Sequence, residues 1–114
     1  MRTLDQIHLQ PRDRAAIQDA ARLLREKFPV TEVILFGSKC RGDDDPESDI
    51  DLLALTVRPL SMAERCTIVD ALFPIQLRHD VVLSPLIVDA EEWKSGRISV
   101  LPIHDEVEEQ GVAA

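Results

Sequence analysis

Four consecutive apolar residues, Val33-Ile34-Leu35-Phe36, close the run VTEVILF. Side chains of a strand alternate between its two faces, so a segment of this kind is apolar on both. It suits a central strand covered above and below. That requirement narrows the chain to layered architectures in which helices pack on a sheet.

The flanking segments supply such helices and further strands. Pro11 can open a helix, since its missing N–H would be unpaired in the first turn anyway. Ile17, Ala20, Ala21, Leu24 and Phe28 follow at helical spacing, with Arg12, Arg14, Asp19 and Arg22 mostly off that face. The segment SDIDLLALTV reads as a second strand, ended by Arg58-Pro59. Ser61-Met62-Ala63-Glu64 has the capping-box pattern of a helix start. Met62, Cys66, Val69 and Phe73 then form an apolar stripe that assigns Cys66 to the core, and Pro74 ends or bends the helix. A third strand opens with HDVVL, is interrupted at Pro85 and resumes as LIV. Asp89 with Glu92 marks another helix start, and ISVLPIHDEVEEQGV a short terminal helix. The expected order is α-β-α-β-α-β-α, with the first of the inner helices short. It forms one domain over residues 1–114, because no repeat or linker divides the chain.

Charge removes some function classes. The 13 basic residues against 21 acidic give a net charge of −8. Neutralising phosphates along a nucleic acid takes clustered Lys and Arg, so direct nucleic-acid binding is not expected. The longest mostly apolar stretch, DVVLSPLIVD, is too short to span a bilayer. The N-terminus lacks the apolar core of a signal peptide, and Cys40 and Cys66 show neither metal-ligand spacing nor a disulfide framework. A cytoplasmic protein is expected. Cys40 reads as an incidental exposed thiol, Trp93 as a packing residue, and the scattered His8, His79 and His104 as structural or surface residues.

Chemistry concentrates in FGSKCRGDDDPESDIDLLAL, Phe36 to Leu55. Asp49 and Asp51 fall on one face of the expected strand. Two carboxylates so close repel each other unless a cation sits between them, and oxygen-preferring Mg²⁺ suits such a pair. Gly37-Ser38, ending the preceding strand, can receive a phosphate. The glycine admits close approach of backbone N–H groups, the serine hydroxyl donates, and a helix starting there aims its positive end at an anion. Asp43, Asp44, Asp45 and Glu47 read as a solvated turn around Pro46.

Gly37-Ser38, ten residues, then Asp49-Ile50-Asp51 resembles the G-S-x10-D-x-D pattern of polymerase-β-like nucleotidyltransferases. Arg41, Gly42 and Ser48 extend the likeness to the fuller form of the minimal nucleotidyltransferase (MNT) domains, over roughly Pro11 to Leu83. The resemblance implies a small mixed β-sheet flanked by helices, with ATP as substrate and two Mg²⁺ ions. It also implies a third carboxylate on a neighbouring strand. Asp80, at the head of DVVL, is the candidate; Asp89 fits a helix cap better and Asp70 lies mid-helix. Asp49, Asp51 and Asp80 would then hold the metal, with Asp80 assisting deprotonation of the attacking hydroxyl. Gly37, Ser38 and Arg41 would bind the nucleotide, although Arg41 could equally anchor its own acidic loop.

Small domains of this kind are similar to one half of a pair whose other half is a helical HEPN-type toxin. In such pairs the MNT protein is the antitoxin and can transfer AMP from ATP onto the toxin. Two alternatives accompany that expectation: an antitoxin that only covers its partner, and one subunit of a split small-molecule nucleotidyltransferase. The acidic clusters at residues 43 to 47 and 105 to 109 would attract a basic partner. The segment around Ile98, Val100, Leu101 and Ile103 either meets that partner or packs back on its own sheet.

Overall fold

A computed structural model describes residues 1–41 and 48–114, with the backbone alone at Arg41. Readings that concern the Arg41 side chain, Gly42, Asp43, Asp44, Asp45, Pro46 and Glu47 lie outside the described residues. The sheet has five strands: β1 (Arg2–Thr3), β2 (Val30–Phe36), β3 (Ile50–Thr56), β4 (Leu83–Asp89) and β5 (Val112–Ala113), in the order β1-β5-β2-β3-β4. β2 runs antiparallel to both β3 and β5, whereas β3 and β4 are parallel. The sheet is therefore mixed, as expected. A parallel pair needs a crossover, and helix α3 (Met62–His79) provides it.

Both faces are covered, which answers the demand made by the VILF run. On one face α1 (Pro11–Lys27) and α3 pack Ile17, Leu24, Ile68 and Leu72 against Leu35, Ile50 and Leu52. On the other, α4 (Ala90–Ser95) and α5 (Pro102–Gln110) bring Trp93 and Val107 against Ile34, Leu53, Leu55 and Val88. Trp93 is buried as a packing residue, and its indole N–H donates to Glu108 at 2.9 Å. Asp89 caps α4 by accepting from the Glu92 N–H. The C-terminal apolar segment divides: Ile98 and Ile103 pack on the second face, while Val100 and Leu101 stay exposed. No helix among the described residues is long and apolar enough to cross a membrane.

Several local expectations are corrected. The buried face of α3 is Ile68, Leu72 and Ile75. Met62 (74% exposed), Phe73 (56%) and Leu77 (69%) line the outside, and Cys66 is exposed with them. The helix carries two apolar stripes at helical spacing, and periodicity alone does not choose between them. Cys40, by contrast, is buried, its thiol donating to the Gly37 carbonyl at 3.0 Å. Pro74 does not end α3, which continues to His79. Burial of Leu72 and Ile75 on either side of Pro74 holds the helix through the missing backbone bond.

β4 is also unbroken, because it is an edge strand. The Ile50 N–H donates to Val82, so residues 84, 86 and 88 address β3 and residues 83, 85 and 87 face outward. The Leu83 N–H goes to the Gln76 side chain at 2.8 Å, Pro85 has none to offer, and Arg65 donates to the Ile87 carbonyl at 2.7 Å. This edge is blunted against strand addition.

Candidate active site

β2 ends where β3 and β4 begin, so one end of the sheet gathers Phe36, Asp51 and Ser84 in adjacent register. All three lie on the face of Leu53 and Leu55, opposite α1 and α3. Asp49 immediately precedes β3 and is exposed; two residues from Asp51, it shares that face. Ile50 between them is buried on the other side and fixes the register.

Gly37 follows β2 with φ +79°, in the left-handed region that favours glycine. A Cβ here would overlap the Asp51 side chain, 3.2 Å from Cγ and nearer still to Oδ2. The glycine thus lets bare backbone sit against a strand carboxylate. Ser38 comes next, half-buried, and opens α2 (Ser38–Arg41). A helix of one turn has little dipole, so a phosphate cradle here would consist of the Gly37 backbone and the Ser38 hydroxyl rather than a helix end. Arg41 ends that turn.

Asp80 occupies different ground. It is not the first residue of a strand but the C-cap of α3, in a left-handed conformation (φ 55°, ψ 51°) that stops the helix. Aspartate is among the few residues that tolerate this conformation. Its side chain is 97% exposed and faces Arg12 of α1 at 3.7 Å. Asp80 is therefore tied to the α1–α3 side, whereas Asp51 points from the opposite face. Among the described residues no three His, Cys, Asp or Glu side chains converge to hold a metal ion. The Asp49–Asp51 pair still suits Mg²⁺, which commonly takes one or two carboxylates and completes its shell with water and substrate phosphate.

Two features of the site were not read from the sequence. Ser84 stands opposite Asp51 on β4; as a polar residue among apolar strand neighbours it carried a faint signal. Lys39, next to Ser38, is 1% exposed and donates to buried Asp13 of α1 at 3.0 Å. Asp13 lies one turn before Ile17 on the buried stripe of α1, and an acidic residue in that position was the available clue.

Known proteins share this fold and family. The profile of the nucleotidyltransferase domain family matches residues 17–105. MJ0141 of Methanocaldococcus jannaschii, named as a candidate protein adenylyltransferase, is 36% identical over 95 residues, covering 83% of this chain and 87% of its own. Two solved structures share the fold at low identity. A toxin–antitoxin with AMP-PNP superposes with a TM-score of 0.60 at 20% identity, over 91% of this chain and 72% of that one. A tri-AMPylated Shewanella oneidensis HEPN toxin in complex with MNT antitoxin gives 0.56 at 22%, over 88% and 69%. The family match includes Gly37-Ser38 and Asp49-Ile50-Asp51, which the fold gathers at one end of its sheet: the chain belongs to the nucleotidyltransferase domain family and is a nucleotidyltransferase.

Proposed function

We propose that this nucleotidyltransferase transfers AMP from ATP onto a hydroxyl of a helical HEPN-type toxin, with Mg²⁺ in the site, and so serves as the antitoxin of that pair. The observation that carries the reading is Gly37 seated against Asp51, since it puts bare backbone and a carboxylate side by side where a metal-bound triphosphate needs both. Gly37 and Ser38 receive the phosphates, and Asp49 and Asp51 hold the cation. Bound there, Mg²⁺ supplies positive charge against the phosphate oxygens. The acceptor oxygen bonds to the α-phosphorus in line with departing pyrophosphate, and its proton passes to a carboxylate of the pair. Asp80, expected as the third carboxylate, stands outside the pair in this reading.

Support for a protein acceptor comes from α3. Met62, Cys66, Val69 and Phe73 recur at the alternating spacing of four and three that helix–helix seams use, with Leu77 one turn further. The stripe is exposed and points away from the core. A helix of the toxin is the occupant we assign to it, by analogy with the HEPN–MNT complex that shares this fold.

The test is co-expression with the product of the neighbouring gene, followed by size-exclusion chromatography and intact-mass analysis. A stable complex whose partner gains AMP is expected, and Phe73→Glu should dissolve that complex while Mg·ATP binding persists. A stable complex without added mass would overturn transfer in favour of a covering antitoxin. Absence of any complex would overturn the partner.

A further inference from the structure

α2 is a single turn, too short to hold its own shape, yet it begins with the serine of the phosphate cradle. Its position must come from what it touches. The Cys40 thiol donates to the Gly37 carbonyl, and Arg2 donates to the Cys40 carbonyl at 3.3 Å. The deepest contact is Lys39, whose ammonium reaches into α1 and donates to the Asp13 carboxylate at 3.0 Å, both side chains almost wholly out of water. A leucine could fill the same volume at lower desolvation cost. What a charged pair adds is directionality: the ammonium donates to a carboxylate fixed on α1, and Ser38 is the neighbouring residue.

We infer that Asp13 and Lys39 are positioning residues of the nucleotide site, a buried ion pair that sets the α2 turn so that Gly37 and Ser38 face the triphosphate. The inference rests on the nucleotidyl-transfer reading. It assigns neither residue a contact with ATP, because Lys39 is sealed against α1. Displacement of a binding group by about an ångström can cost on the order of a hundredfold. A loosened turn should therefore weaken nucleotide binding even in a protein that is otherwise stable.

The experiment separates stability from position. Mg·AMP-PNP affinity by calorimetry and the thermal midpoint are measured for the wild type, for Asp13→Asn, and for the pair Asp13→Leu with Lys39→Met. Asp13→Asn should lose both affinity and midpoint, because it removes the carboxylate charge that faces the buried ammonium. The apolar pair should recover the midpoint while its affinity remains roughly ten- to a hundredfold below the wild type. An apolar pair that is stable and binds like the wild type would overturn the inference, leaving the ion pair a merely structural contact. Should the apolar pair fail to fold, Lys39→Arg and Lys39→Gln are compared well below their midpoints. Arginine should keep affinity within about threefold and glutamine should not; equal affinities would overturn the inference. A wild type that does not bind Mg·AMP-PNP would instead overturn the parent reading.

Discussion

Helix α1 grips its neighbours in two ways. Toward α2 it uses one buried ion pair, Asp13 with Lys39, sealed on all sides. Toward the C-terminal end of α3 it uses a looser set: Asp19 meets His79 at 2.7 Å and Arg78 at 3.3 Å, with Arg22 of α1 itself alongside at 3.6 Å, while Arg12 faces Asp80. The first grip holds the turn that carries Gly37 and Ser38, and the second holds a helix end beside an exposed aspartate. Buried charges have large energies and one geometry, whereas exposed pairs are weak and tolerant. The stricter geometry lies on the side that carries Gly37 and Ser38.

The largest expected effect breaks the first grip. Asp13→Ala should destabilise the protein by about 3–5 kcal/mol, because it breaks a buried ion pair by removing one partner. Chemical denaturation read by circular dichroism checks this. A loss below about 1 kcal/mol would place the pair with ordinary surface contacts.

Next comes Ser38→Ala, which removes a hydroxyl donor to a charged oxygen. A hydrogen bond to a charged group contributes about 1.5–3 kcal/mol, so use of ATP should fall roughly ten- to a hundredfold with the fold unchanged. An equal loss of thermal stability would make Ser38 a structural residue instead.

Asp80→Asn should do little. Its carboxylate is almost fully solvated and its ion pair with Arg12 is exposed, so transfer should change less than about threefold and stability by under about 1 kcal/mol. Loss of transfer comparable to that of an Asp51 variant would return Asp80 to the metal site.

The smallest effect depends on pH. The Asp19 carboxyl is held below its usual 3.8, chiefly by the hydrogen bond from His79; burial opposes this, and the charges of His79, Arg22 and Arg78 reinforce it. A lowered folded-state pKa means that this grip stabilises above the unfolded pKa and is lost as pH falls through the folded one. The midpoint difference between wild type and Asp19→Asn should be present near neutrality and shrink below about pH 4. A difference that grows on acidification would contradict the assignment.

What the sequence disclosed follows the range of the interactions. β2, β3, α1 and the capping box at Ser61 are written in local patterns, and the Ser61 hydroxyl does accept from the Glu64 N–H while Glu64 reaches back. Arg58 and the Ser61 backbone hold Glu64 down to about 2. The nearness of Gly37 to Asp51 was equally legible, because antiparallel pairing sets the end of β2 beside the start of β3. The place of Asp80 at a strand start is the part that differs: a one-residue left-handed cap delays β4 to Leu83, and nothing local distinguishes a cap from a strand start. The exchange of Cys40 for Cys66 as the buried thiol has a similar origin, since the outward stripe on α3 is as regular as the inward one. β1 and β5 have two residues each, too few to show alternation, and exist only through pairing with each other and with β2.

The central claim is that the two carboxylates at the head of β3 carry the metal-dependent transfer. The most direct measurement incubates radiolabelled ATP, Mg²⁺ and the co-purified partner with wild type and with Asp49→Asn/Asp51→Asn. The paired variant removes charge repulsion and little packing, so it should remain folded and transfer no label, while the wild type labels the partner. Undiminished labelling by a folded paired variant would contradict the account.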